Sequence, residues 1–143
     1  MSSARERALS YLGRFARTEQ QVADYLKRKG FPPEEIAQTI EYLRERSFVN
    51  DSAFAESYIQ SRIRHGDGPL KIKQLLFQKG IAPADADLLL RELYPADAQL
   101  LRVIALIRQK SGLDRNKTMR FLASRGFPHS IIYQGLRQDS ESK

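Results

Sequence analysis

Cysteine is absent from the 143 residues, which excludes disulfides, thiolate nucleophiles and thiolate metal ligands. Histidine is scarce. His65 and His129 stand apart, without a cysteine or a spaced acidic partner, so they make no metal site and no cofactor is expected. No apolar run nears the roughly 18 residues of a membrane span, and no signal-peptide apolar segment is present. A soluble, cytoplasmic protein without a membrane role is therefore expected. Period-2 alternation is missing as well, which removes the sheet. A phosphate loop is not present, because Gly66-Asp-Gly-Pro69 is too short and leads through its proline into a helix. His65, Asp67 and Ser61 lie at a helix end with neither a nucleophile elbow nor an oxyanion hole, and loop polarity accounts for them. Glu34, Glu35, Asp85 and Asp87 fall in first helical turns, where the helix dipole is reason enough for a carboxylate. No active site emerges, and an enzyme is not expected.

What the sequence does contain is a corner written three times: Tyr25–Pro33, Leu75–Pro83 and Phe121–His129. Each places a glycine (Gly30, Gly80, Gly126) after a cation and before an apolar residue. A leucine four positions before the glycine closes onto that apolar residue: Leu26 on Phe31, Leu76 on Ile81, Leu122 on Phe127. This is the pattern of a helix stopped by a left-handed glycine, with the cation at the negative end of the dipole and a following proline that opens the next helix. Twelve residues before the glycines stand Thr18, Gly68 and Asp114, all suited to N-caps. Thr18 with Gln21 forms a capping box, and Pro69 sits at a first helical position.

Leading helices are predicted near Ala4–Ala16, Asp51–Arg64 and Ala96–Lys110. Their apolar faces carry Ala8, Leu9, Leu12 and Phe15; Phe54, Ala55, Tyr58, Ile59 and Ile63; Leu100, Leu101, Ile104 and Ile107. Trailing helices are predicted near Pro33–Arg46, Pro83–Leu93 and Pro128–Arg137. The expected fold is all-α: three tandem three-helix modules, residues 1–50, 51–95 and 96–138, forming an elongated helical-repeat array, with a polar tail at 139–143. The third trailing helix is expected to be the shortest and most polar.

Net charge is +7 with pI near 9.9, which implies an anionic partner. Residues 96–143 hold nine Lys and Arg against four Asp and Glu, whereas each of the two preceding thirds carries an excess of one cation. Basic residues recur in register: Arg14, Arg64 and Lys110, then Arg62 and Arg108, near the ends of leading helices. Dipole complementarity and a solvated face would account for any one of them. Along one face of the middle helices a ridge reads Gln21, Asp24, Arg28; then Lys71, Gln74, Gln78; then Lys117, Arg120, Ser124. It turns from mixed to cationic along the chain, as a long anionic groove or strand would require. Tyr25, Tyr58 and Phe121 lie close enough to stack on bases, although core packing explains them.

The stretch Phe48-Val-Asn-Asp51-Ser-Ala-Phe54-Ala55-Glu-Ser-Tyr58, then Arg62, Gly68-Pro69-Leu70-Lys71-Ile72, Leu75-Leu76 and Lys79-Gly80-Ile81 resembles the RecX family of bacterial regulatory proteins, modulators of the recombinase RecA. Ala8-Leu9, Leu12, Arg17-Thr18-Glu19 and Leu26 through Phe31 fit the same pattern. The resemblance implies a non-enzymatic protein lying along the groove of the RecA filament, contacting several subunits and single- or double-stranded DNA; separately, a monomer is expected. Strand exchange, ATP hydrolysis and repressor coprotease activity would be restrained, in DNA repair, recombination and the SOS response. Candidate contacts to RecA or DNA are Arg62, Arg64, Lys71, Lys73, Arg108, Lys110, Arg115, Lys117, Arg120 and Arg125. The alternative is a helix-turn-helix DNA-binding regulator. Against it, three similar corners suggest scaffold, and no middle helix has the Arg, Asn and Gln cluster that reads base edges. A purely structural adaptor is disfavoured by the charge.

Overall fold

The computed structural model describes residues 3–13, 15–110 and 112–141. Among these residues the chain is all-helical: α1 (Ala4–Leu12), α2 (Glu19–Arg28), α3 (Pro33–Glu45), α4 (Asp51–His65), α5 (Pro69–Gln78), α6 (Pro83–Leu93), α7 (Ala96–Gln109), α8 (Arg115–Ser124) and α9 (His129–Glu141). The repeated corners are as the sequence predicts. Gly30, Gly80 and Gly126 have φ of 90°, 93° and 95°. After α2, the Gly30 N–H donates to the Lys27 carbonyl (3.0 Å) and the Phe31 N–H to that of Leu26 (3.2 Å). After α8, Gly126 and Phe127 repeat the pattern with Ala123 and Leu122. The leucines beneath all three corners are fully buried. Two further helices stop the same way at positions not foreseen: α3 at Ser47 (φ 60°) and α4 at Gly66 (φ 97°).

The chain divides into two compact units. Among the described residues, the first comprises 3–13, 15–55 and 78–81. Here α1, α2 and α3 pack pairwise around Ala4, Ala8, Val22, Leu26, Leu43 and Val49. The N-terminus of α2 is held from several sides. The Thr18 N–H donates to Gln21 Oε1 (3.0 Å) and the Gln21 N–H to Thr18 Oγ1 (3.2 Å), completing the capping box. Asp51 Oδ1 accepts from the Glu19 N–H (2.9 Å). The Thr18 hydroxyl, fully buried, donates to the Lys79 carbonyl (2.5 Å). Arg44 then clamps Glu19 with two hydrogen bonds of 2.9 and 2.7 Å. That clamp holds the Glu19 carboxyl below the usual range, although burial opposes it. α1 ends at Leu12 rather than Ala16, and Phe15, expected on its apolar face, is 64% exposed. The helix stops at Gly13, whose N–H turns back to Ser10 (3.2 Å).

Among the described residues, the second unit comprises 56–77, 82–110 and 112–141. Its most extensive helix pair is α7 with α9. Val103, Leu106 and Ile107 of α7 and Ile131, Ile132 and Leu136 of α9 are buried. Leu101, assigned to the core from sequence, is 71% exposed, because it is angularly offset from the Val103–Ile107 stripe. α9 runs on to Glu141, past the expected end near Arg137, and with 13 residues equals α3 in length. Two contacts hold it. Gly135 lies so close to α7 that an added Cβ would collide with Val103 Cγ1, and Asp139 pairs with Arg108 at 3.7 Å.

Candidate functional site

The end of α4 builds the most heavily charged interior. In a glycine-stopped helix, the residue after the glycine usually makes an apolar contact with the one five positions before it. After Gly66 that position is Asp67, and the earlier residue is Arg62. The apolar contact is replaced by a salt bridge: Arg62 Nε and Nη2 both lie 2.5 Å from Asp67 Oδ2. Asp67 is fully buried. Its second oxygen faces Lys71 Nζ at 3.5 Å and Arg125 Nη2 at 4.0 Å. Arg125 also donates to the carbonyls of Gly66 (3.2 Å) and His65 (2.7 Å). The Tyr94 hydroxyl donates to the Asp67 carbonyl (3.0 Å). Burial pushes that phenol up to about 12.

A backbone joint lies beside this cluster. The N–H groups of Gly68 and Leu70, at the start of α5, donate to the carbonyls of Arg125 (2.7 Å) and Gly126 (2.9 Å). Gly68 is a glycine because a Cβ there would collide with the Gly126 carbonyl group. In the same way a Cβ on Gly126 would strike the Lys71 backbone, and one on Gly80 would strike Gln20, whereas one on Gly30 meets nothing within 4 Å.

The ten basic candidates thus separate by environment. Arg62, Lys71 and Arg125 converge on Asp67. Lys73 pairs with Asp87 at 2.9 Å and Arg108 with Asp139. Lys110 lies 4.8 Å from the centre of the Phe121 ring, which Arg125 also approaches at 5.9 Å. Arg64, Arg115, Lys117 and Arg120 are exposed and have no ion pair among the described residues. Three of those four lie on α8, where Asp114 caps the helix through the Lys117 N–H (2.8 Å). Ser124 ends that ridge, its hydroxyl donating to the Phe121 carbonyl (2.6 Å). Arg14, aligned with Arg64 in the sequence, lies outside the described residues. The arrangement presents a cluster of uncompensated cations on one short helix, chemistry suited to phosphates or to an acidic protein surface.

Sequence reasoning missed three features. Asp67 was assigned to loop polarity, although a charge in the apolar slot after a stopping glycine is the anomaly that marks it. Asp51, within the family-like segment, ties α4 to the first amide of α2. Tyr25 stacks on Tyr11 at 4.0 Å, with Arg17 over Tyr11 and Lys29 over Tyr25. Among the described residues no three His, Cys, Asp or Glu side chains group as a metal site, and no helix is long and apolar enough to cross a membrane.

The family model for the first three-helix domain of RecX matches residues 4–43, and that for the second matches residues 50–90. The chain belongs to the RecX family. Among curated relatives, the regulatory protein RecX of Halorhodospira halophila is 32% identical over 133 residues, covering 87% of this chain and 81% of its own length. That of Levilactobacillus brevis is 34% identical over 140 residues, covering 92% of this chain. The chain spans 52% of the Levilactobacillus protein and 64% of a Clostridium botulinum relative. A crystal structure of RecX from Lactobacillus salivarius superposes with a TM-score of 0.87 at 27% identity, covering 96% of this chain and 94% of that one. A second RecX crystal structure gives 0.77 at 29% identity, with coverage of 92% and 70%. The RecX segment that the sequence resembles contains Asp51, Arg62, Gly68 and Gly80, which the geometry above assigns to the α2 cap, the Asp67 cluster and the backbone joints.

Proposed function

We propose that this RecX-family chain binds the RecA–DNA filament along its groove. Without turning over a substrate of its own, it restrains strand exchange, ATP hydrolysis and repressor coprotease activity. Membership of a family of regulatory proteins carries the reading. The exposed cations of α8 support it, since the filament offers phosphates and acidic protein surface. Of the ten proposed contacts, Arg64, Arg115, Lys117 and Arg120 are available without breaking an internal pair. Arg62, Lys71, Lys73, Arg108, Lys110 and Arg125 add positive potential from positions fixed by their neighbours. In this reading residues 1–50, 51–95 and 96–138 act as three modules of one cytoplasmic monomer, which needs no cofactor and also meets single- and double-stranded DNA.

The test is ATP hydrolysis by RecA on single-stranded DNA, with the purified chain titrated in. Hydrolysis and strand exchange should both fall, and the chain alone should release no phosphate. Unchanged RecA activity at saturation would discard this reading and advance a duplex-DNA regulator of the helix-turn-helix kind.

A further inference from the structure

Grooves lie open between the middle and trailing helices of the first and third repeats, and the aligned positions of the three repeats serve as controls for one another. Aligned on Gly30, Gly80 and Gly126, the middle helices carry Asp24, Gln74 and Arg120 at one position, and the trailing helices carry Ala37, Asp87 and Tyr133 at another. The mouth carries Pro33, Pro83 and His129. In the first copy the groove has an acid, a proline and an alanine at these places. In the second, Asp87 is closed onto Lys73 by a 2.9 Å salt bridge. The third alone combines a cation with two aromatic rings. Tyr133 is 50% exposed, and its ring lies 6.2 Å from that of His129 at an interplanar angle of 29°. Beside them is a groove of about 430 Å³ lined by Asn116, Met119, Arg120, Ala123 and His129.

Packing gives no reason for these side chains. The aligned positions of the other two repeats carry alanine or aspartate in place of Tyr133, and proline in place of His129. The core beneath is complete without them, since Ile131, Ile132 and Leu136 fill it. Arg120 and Lys117 are exposed with no carboxylate partner among the described residues. An open groove lined by Arg120 and His129, with the exposed Tyr133 ring next to that of His129 and the exposed Lys117 one turn before Arg120 on α8, matches what a single strand offers: a flat base and its phosphates.

We infer that the groove between α8 and α9 is a single-stranded nucleic-acid site, in which a base stacks on the Tyr133–His129 pair while Arg120 and Lys117 meet the adjoining phosphates. Sequence preference is low, because every base has a π-face. The site rests on the proposed function for one point only, that the strand it meets is the one RecA coats. A duplex does not satisfy it, since paired bases present no free face.

The experiment measures fluorescence anisotropy of a labelled oligothymidine with the full chain and no RecA, over a range of salt. Tyr133→Ala and His129→Ala should each weaken binding, by about 5- to 150-fold where the ring carries a full stacking contact, with the salt slope unchanged. Tyr133→Phe should bind as the parent does. Lys117→Gln and Arg120→Gln should each flatten the slope of log affinity against log salt by roughly 0.7. Circular dichroism of every variant excludes unfolding as the cause. Parental binding by Tyr133→Ala, or binding of duplex in preference to the oligothymidine, would overturn the inference. So would loss of RecA inhibition in Tyr133→Ala without any oligothymidine binding by the parent, which would assign the groove to a protein partner. In each case RecA inhibition by the unaltered chain keeps the fate of the proposed function separate.

Discussion

Three glycines in one motif separate two costs that mutagenesis usually mixes. A side chain at positive φ is strained wherever it sits, but only at Gly80 and Gly126 would a Cβ also meet a neighbour. Gly30→Ala should therefore cost about 1–2 kcal/mol. Gly80→Ala and Gly126→Ala should cost about 1–3 kcal/mol more, as overpacking does. Urea denaturation measures the difference, and equal costs would refute the steric part. Tyr94 provides a test by pH. Its pKa is raised from 10.0 to about 12, chiefly by burial, so the folded state favours the neutral phenol. The resulting stability, about 3 kcal/mol for two units, is complete below pH 10 and is lost as pH rises towards 12. Absorbance at alkaline pH should show a latest-titrating tyrosine that is absent in Tyr94→Phe, while Tyr58, also raised by burial, persists in the variant. The glycines were legible in the sequence because a helix stop is local, spelled within nine residues. Asp67 was legible only in part: its pairing with Arg62 is local, but Tyr94 and Arg125, which also meet it, lie 27 and 58 positions away, and no local pattern announces them.

At the level of elements, α9 shows a local preference overruled by packing. Glycine inside a helix costs about 1 kcal/mol relative to alanine, so Gly135→Ala should stabilise an isolated α9. In the protein the added methyl meets Val103, and the variant should instead be destabilised by about 1–3 kcal/mol. Shortening Val103 should relieve the clash. A double-mutant cycle of Gly135→Ala with Val103→Ala is expected to give a favourable coupling of at least about 0.5 kcal/mol, and additivity would exclude the close approach. The same packing explains why the end of α9 was misjudged. Its last turns are polar in sequence, so they read as a tail, but Asp139 has Arg108 on α7 to pair with. Helix starts were easier. Thr18 and Asp114 cap through hydrogen bonds three residues away, a range that a sequence displays directly. Phe15 and Leu101 went wrong for the opposite reason: each is apolar near a helix stripe without belonging to it.

For the molecule as a whole, the charge surplus was readable by counting, but its availability was not. Counting places Lys71 and Arg125 with Lys117 and Arg120, whereas the structure pairs the first two with a buried carboxylate and leaves the second two in solvent. Reversing Lys117 and Arg120 to Glu should accordingly weaken RecA-filament binding while leaving thermal stability within about 0.5 kcal/mol of the parent. Parental binding by that variant would reduce the ridge to a solvated face. The joint at Gly68 has a different kind of consequence, one of timing. First-turn amides of a helix normally lack acceptors and exchange with solvent quickly, as those of Arg115 and Asn116 in α8 should. The Gly68 and Leu70 amides instead donate to the Arg125 and Gly126 carbonyls, so they can exchange only when α5 and the α8 corner part. Native-state hydrogen exchange should find them slow, with an opening free energy matching that of the Phe127 amide at the same corner. Two segments far apart in the chain would then open as one event, and the least protected part of α5 in an ordinary helix would report on how α8 is held.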